Sequence, residues 1–157
     1  MPALPAWYGR SYPTMEKLEA YAWELGAVVM RGPVEAFCSM PEEPGQVAVI
    51  GLPEGAGPLE SIWLLAHELG HLVLHLGYTS PWTRDKKEKQ AGKWAACALI
   101  PEARIQAHRN ACLDAFVGAL SAHFEELPLI SCHPRRLAGK IARIRLKILE
   151  EKAANGY

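Results

Sequence analysis

No Cys-x-x-Cys pair occurs in the chain, and its four cysteines, Cys38, Cys97, Cys112 and Cys132, are widely spaced. That spacing excludes a zinc knuckle and a dense disulfide framework, and it fits a reducing, cytoplasmic setting. Net charge is absent as well, since 17 Lys and Arg offset 17 Asp and Glu. A chain so balanced is poorly suited to binding a polyanion along its length. No apolar run approaches the roughly 18 residues of a membrane span; the longest is interrupted by His67, Glu68 and His71. The opening MPALPAWYGRSYP lacks a basic start followed by an apolar core, so no export signal is expected. Internal repeats and low-complexity tracts are missing too.

What is present suits one domain, 1–157, half of it hydrophobic and large enough to build its own core. Charge is unevenly placed. Residues 1–83 hold 3 Lys/Arg and 9 Asp/Glu, and residues 84–157 hold 14 and 8. Such halves either attract each other across the fold or steer a charged partner to one face.

The stretch from Ile62 to Gly77, IWLLAHELGHLVLHLG, carries the chemistry. Ile62, Leu65, Leu69, Leu72, Val73 and Leu76 recur at helical spacing, which puts His67-Glu68-Leu69-Gly70-His71 on a helix with a buried face. Residues four apart lie one turn above each other, so His67 and His71 can converge on one metal ion. Glu68 is rotated about 100° from His67, beside the position a third protein ligand would leave open to water. An ion held by three protein ligands lowers the pKa of bound water to roughly 7, and Glu68 is placed to take the proton. A core helix with merely hydrogen-bonded histidines would leave a buried Glu68 without a purpose. His75 lies eight residues from His67, about 12 Å along an unbroken helix, and is read as structural.

The expected fold is α+β: mainly helical, with a small three-stranded antiparallel sheet packed near the metal helix. Thr14 caps a helix from about Met15 to Leu25, which Gly26 ends. Ala27–Met30, Val34–Met40 and Gln46–Leu52 read as strands, and the last of them is read as an exposed edge against which an extended peptide could pair. A Gly/Pro loop, 53–58, leads into the metal helix near Leu59. Arg84–Ile100 reads as a helix closed by Pro101. On it Glu88, Ala91, Ala95 and Leu99 share one stripe, so a carboxylate heads a face of small residues that allows close helix packing; Glu88 is therefore the candidate third ligand. Glu102–His108, Cys112–Phe124 and Arg135–Lys152 read as further helices. Along the last, Arg136, Lys140, Arg143 and Lys147 form a basic stripe, read chiefly as a solvated face. His108, His123 and His133 are ordinary surface or core histidines unless folding carries His123 or His133 over the metal.

Two segments, HELGHLVLH from His67 and EKQAGKWAACALIP from Glu88, resemble the ImmA/IrrE family of metallopeptidases, the second through the family's E-x-x-A-N-x-F-A-A-x-L-L-M-P pattern. The resemblance spans mainly residues 15–101, a catalytic core, with 102–157 as a helical C-terminal part. It implies zinc held by His67, His71 and Glu88, with Glu68 as catalytic base; manganese is the other divalent ion such a ligand set could take. It also implies a protein substrate, a helix-turn-helix transcriptional repressor. Departures from the pattern include Gly92, which stands where the family has Asn, Trp94 for Phe and Ile100 for Met. Trp94 keeps an aromatic plug, whereas losing Asn removes a polar side chain near the site.

The leading reading is thus a zinc-dependent endopeptidase. Its rival is a non-catalytic antirepressor that holds the same kind of repressor stoichiometrically, with zinc as a structural element. Glu68 separates them, because structural zinc sites close their fourth position and need no base. Direct nucleic-acid binding by the last helix is unlikely, given zero net charge and few aromatics among its arginines.

Overall fold

A computed structural model describes residues 3–75, 84–107, 115, 117 and 134–155. Helix α1, Met15–Glu24, opens where the Thr14 hydroxyl accepts from the backbone N–H of Lys17 at 3.2 Å. It ends at Leu25 and at Gly26, whose φ of +79° is a left-handed conformation that costs glycine nothing. The chain then forms β1 (Ala27–Gly32), β2 (Phe37–Ser39) and β3 (Ala48–Pro53). After a short loop come α2 (Pro58–His75), α3 (Arg84–Leu99) and α4 (Glu102–Ala107). A long helix, α5 (Pro134–Ala154), closes the described chain.

The three-stranded sheet is mixed, which corrects the antiparallel expectation. Its order is β1-β3-β2, with β3 parallel to β1 and antiparallel to β2. The reason lies in the link between β1 and β2. Residues 33–36 reach roughly 13 Å when extended, enough to step across two strand spacings of about 4.8 Å each. They do not form a tight hairpin, and β3 fills the place left between. A second correction follows: β3 is the central strand, so Gln46–Leu52 cannot offer a peptide its edge. The sequence carried the signal, because Ala48-Val49-Ile50-Gly51-Leu52 is a continuous apolar run rather than an alternating one, as a strand covered on both faces requires.

One face of the sheet packs against α1 and α2, and the core runs from Leu18 and Ala22 through Ile50 and Leu52 to Leu65, Leu69 and Leu72. Among the described residues, the α2–α3 pair is the most extensive packing of two elements, and it lies over the small-residue stripe anticipated from sequence: Ala91, Ala95 and Leu99 are fully buried. Trp94 is the expected aromatic plug, flanked by Tyr8 at 5.0 Å and stacked on Tyr21 at 6.3 Å between ring centres. The Tyr8 hydroxyl donates to the Trp94 carbonyl at 3.2 Å. Arg145 of α5 is 2% exposed and donates from Nε to the Ile100 carbonyl at 3.2 Å and from Nη2 to Glu102. It thereby ties the last helix to the junction of α3 and α4. Among the described residues, no helix is long and apolar enough to cross a membrane.

Candidate metal centre

The site is built by two helices held unusually close. A Cβ on Gly70 would meet the Ala91 carbonyl oxygen at 2.9 Å and its Cα at 3.0 Å, both rigid backbone atoms. Glycine inside a helix costs about 1 kcal/mol relative to alanine, and here the missing side chain lets α3 lie against α2. Sequence reading passed over Gly70; a glycine isolated within a helical pattern was the available signal. One turn before Ala91 on α3, Glu88 reaches across to the histidines. Its Oε2 lies 2.9 Å from His67 Nε2 and its Oε1 3.1 Å from His71 Nε2.

The three expected ligands are therefore brought together, their donor atoms within 4.8 Å of one another. Tetrahedral ligation at about 2.0–2.1 Å sets donor atoms roughly 3.3 Å apart, so widening these contacts by a few tenths of an ångström admits a divalent ion. Two imidazole nitrogens with one carboxylate suit zinc. Partial burial pushes Glu88 upward, but the hydrogen bond from His67 and the charges of His71 and His67 outweigh it and hold the carboxyl below the usual range. Nε2 is the nitrogen of His67 aimed at Glu88; its Nδ1 is buried and finds no hydrogen-bond partner among the described residues.

Glu68, the expected base, is 8% exposed. Burial, and then the nearby Glu88 carboxylate, push it up to about 7. A carboxyl poised there exchanges protons at neutral pH. It is also close enough to β2 that its charge adds to burial in raising the Cys38 thiol to about 12. Cys38 thus places β2, an edge strand of the sheet among the described residues, near the base. Cys97 is half-buried beside Tyr8 and feels the charge of Arg145. The side chain of His75, and the whole of His108, His123 and His133, lie outside the described residues.

Compared with known families, residues 24–127 match the IrrE N-terminal-like domain, a peptidase family. No curated protein and no solved structure matches the chain.

Proposed function

The chain belongs to the IrrE N-terminal-like family of peptidases, and on that footing we propose that it is a zinc-dependent endopeptidase with His67, His71 and Glu88 as ligands and Glu68 as catalytic base. The observation that carries the reading is the convergence of two imidazoles and a carboxylate beside a fourth, buried carboxyl that is raised toward neutrality. An ion bound there supplies Lewis acidity and a water acid enough to lose a proton near pH 7. Every other task falls to the chain. His67 and His71 fix the ion from one face of α2, and Glu88 fixes it from α3. Glu68 accepts the water's proton at a carboxylate oxygen and returns it to the leaving amine. The outer edge of β2, unpaired among the described residues, pairs with an extended segment of substrate and lays the scissile bond along α2.

Family resemblance supports a helix-turn-helix transcriptional repressor as the protein cut. Glu68→Gln tests the assignment, because the amide keeps the shape of the side chain but accepts no proton. Cleavage of such a repressor should fall at least ~100-fold while bound zinc, measured by metal analysis, stays at the wild-type level. An active Glu68→Gln protein would remove the base. Wild-type protein that binds the repressor tightly and never cuts it would establish the antirepressor reading instead.

A further inference from the structure

A cavity of about 350 Å³ opens directly from the metal centre, sharing His67 and Glu88 with it. That volume is at the lower end of small-ligand sites, enough for a side chain and its water. Its walls are basic. Lys89 and Lys93 project from α3, and Lys140 and Lys147 from α5. Lys93 is engaged by Glu151 at 3.2 Å, whereas among the described residues Lys89, Lys140 and Lys147 form no ion pair. Among the described residues, the one acidic wall residue, Glu88, is turned to the histidines. The described walls thus form a concave pocket of net positive charge beside the metal centre.

Its floor is apolar. Trp63 and Ile144 line it, and the Lys140 ammonium sits 5.6 Å from the centre of the Trp63 ring, within cation–π range. Gly92 is buried, yet a Cβ there would meet nothing within 4 Å. This helical glycine serves no close approach of backbones, unlike Gly70, and what its missing side chain leaves is open space in the pocket wall.

We infer that this cavity is a specificity subsite for a carboxylate-bearing side chain of the peptide substrate, glutamate above all, at a position adjoining the scissile bond. The inference rests on the peptidase reading and names the class of substrate. Trp63 and Ile144 suit the methylenes of glutamate, and Lys89, Lys140 and Lys147 suit its carboxylate. The concavity selects a single side chain. All four residues of the basic stripe are exposed, but only Lys140 and Lys147, two turns apart on α5, line the cavity; Arg136 and Arg143 do not. A nucleic-acid backbone would need the stripe as a continuous track.

The test gives zinc-loaded protein a randomised library of peptides with acetylated N-termini and amidated C-termini, and reads the cut sites by mass spectrometry. Glutamate should be enriched over glutamine by about tenfold at one position next to the cut, as expected for a carboxylate meeting more than one ammonium in a concave site. Lys140→Glu/Lys147→Glu should invert that preference toward Lys and Arg. Gly92→Leu should abolish it while raising the melting temperature, since leucine is the better helix former, so loss of folding cannot imitate the effect. A parallel measurement uses Glu68→Gln protein and the anisotropy of fluorescent peptides differing only in Glu against Gln. The Glu peptide should bind about tenfold tighter, and the difference should vanish when Lys140→Glu/Lys147→Glu is added. Selective binding without any wild-type cleavage supports the subsite and overturns the peptidase reading. Cleavage without a glutamate preference, a preference indifferent to Lys140 and Lys147, one that appears only with free C-terminal carboxylates, or displacement of the peptide by a single-stranded oligonucleotide at lower concentration would each overturn the subsite.

Discussion

Glu68 shows how far single residues were legible and where their environment took over. Four-residue spacing placed both histidines on one helical face, and that geometry needs no tertiary information. The depth of Glu68 does need it, and it sets a measurable pH dependence. With zinc stripped by a chelator, its folded value of about 7 stands above the 4.5 of an ordinary glutamate. Between those limits the native state holds a proton that the unfolded chain has released, so stability falls as pH rises from about 4.5 to about 7 and levels off above. The full gap corresponds to roughly 3 kcal/mol. Glu88 works in a separate window: its lowered value contributes stability that is lost only as pH falls below the ordinary range. Denaturant unfolding of the metal-free protein across pH should show the decline, and Glu68→Gln should flatten it. A Glu68→Gln curve parallel to wild type would mean that Glu68 ionises in the native state as freely as in the unfolded one.

At the scale of elements, the helices followed from local pattern, and the order of the strands did not. Thr14, Gly26 and Pro101 punctuate the chain by local conformational rules, so α1 and α3 fall within a residue or two of their expected bounds. Strand order depends instead on which partners meet across sequence, and alternation along Val34–Met40 says nothing of that. The central place of β3 gives a sharp expectation for Val49→Pro. Proline in an interior strand removes a ladder donor and strains both neighbours, so the variant should lose on the order of 3 kcal/mol and melt well below wild type; near-normal melting would return β3 to the edge. The contact of α2 with α3 makes a second. Gly70→Ala forces its methyl against the Ala91 backbone, costing about 1–3 kcal/mol and moving Glu88 away from His67 and His71. Zinc affinity, by competition with a chromophoric chelator, should drop with stability; unaltered affinity would show that the close approach does not set the ligand geometry.

For the whole molecule, the decisive part is α5, which the sequence offered only as an amphipathic helix with a basic stripe. Lys140 and Lys147 are exposed, as a solvated stripe requires, but nothing local says that α5 returns to α2 and α3, which end 35 or more residues earlier in the chain. Arg145 holds it there. Arg145→Met keeps much of the side-chain volume but leaves the Ile100 carbonyl without its donor, and should destabilise the protein by about 2–4 kcal/mol. It should also release Glu102, which the Arg145 hydrogen bond keeps below the usual carboxylate range. Stability from that pair is present above ordinary glutamate titration and lost as pH falls through the depressed value, so wild type and Arg145→Met should converge in acid. A constant difference between them at all pH values would assign the effect to packing alone. The order β1-β3-β2 also governs how the chain reaches its native state. Ala27 pairs with Ala48, and Gly32 with Pro53, each 21 residues apart, while β1 and β2 never touch as partners. No hairpin of neighbouring strands can zip from a turn along all three; until β3 is inserted, β1 and β2 are two unpaired ribbons. On the ribosome the sheet therefore cannot be completed before Pro53 emerges, and the strand that completes it runs within five residues into the helix that bears the histidines.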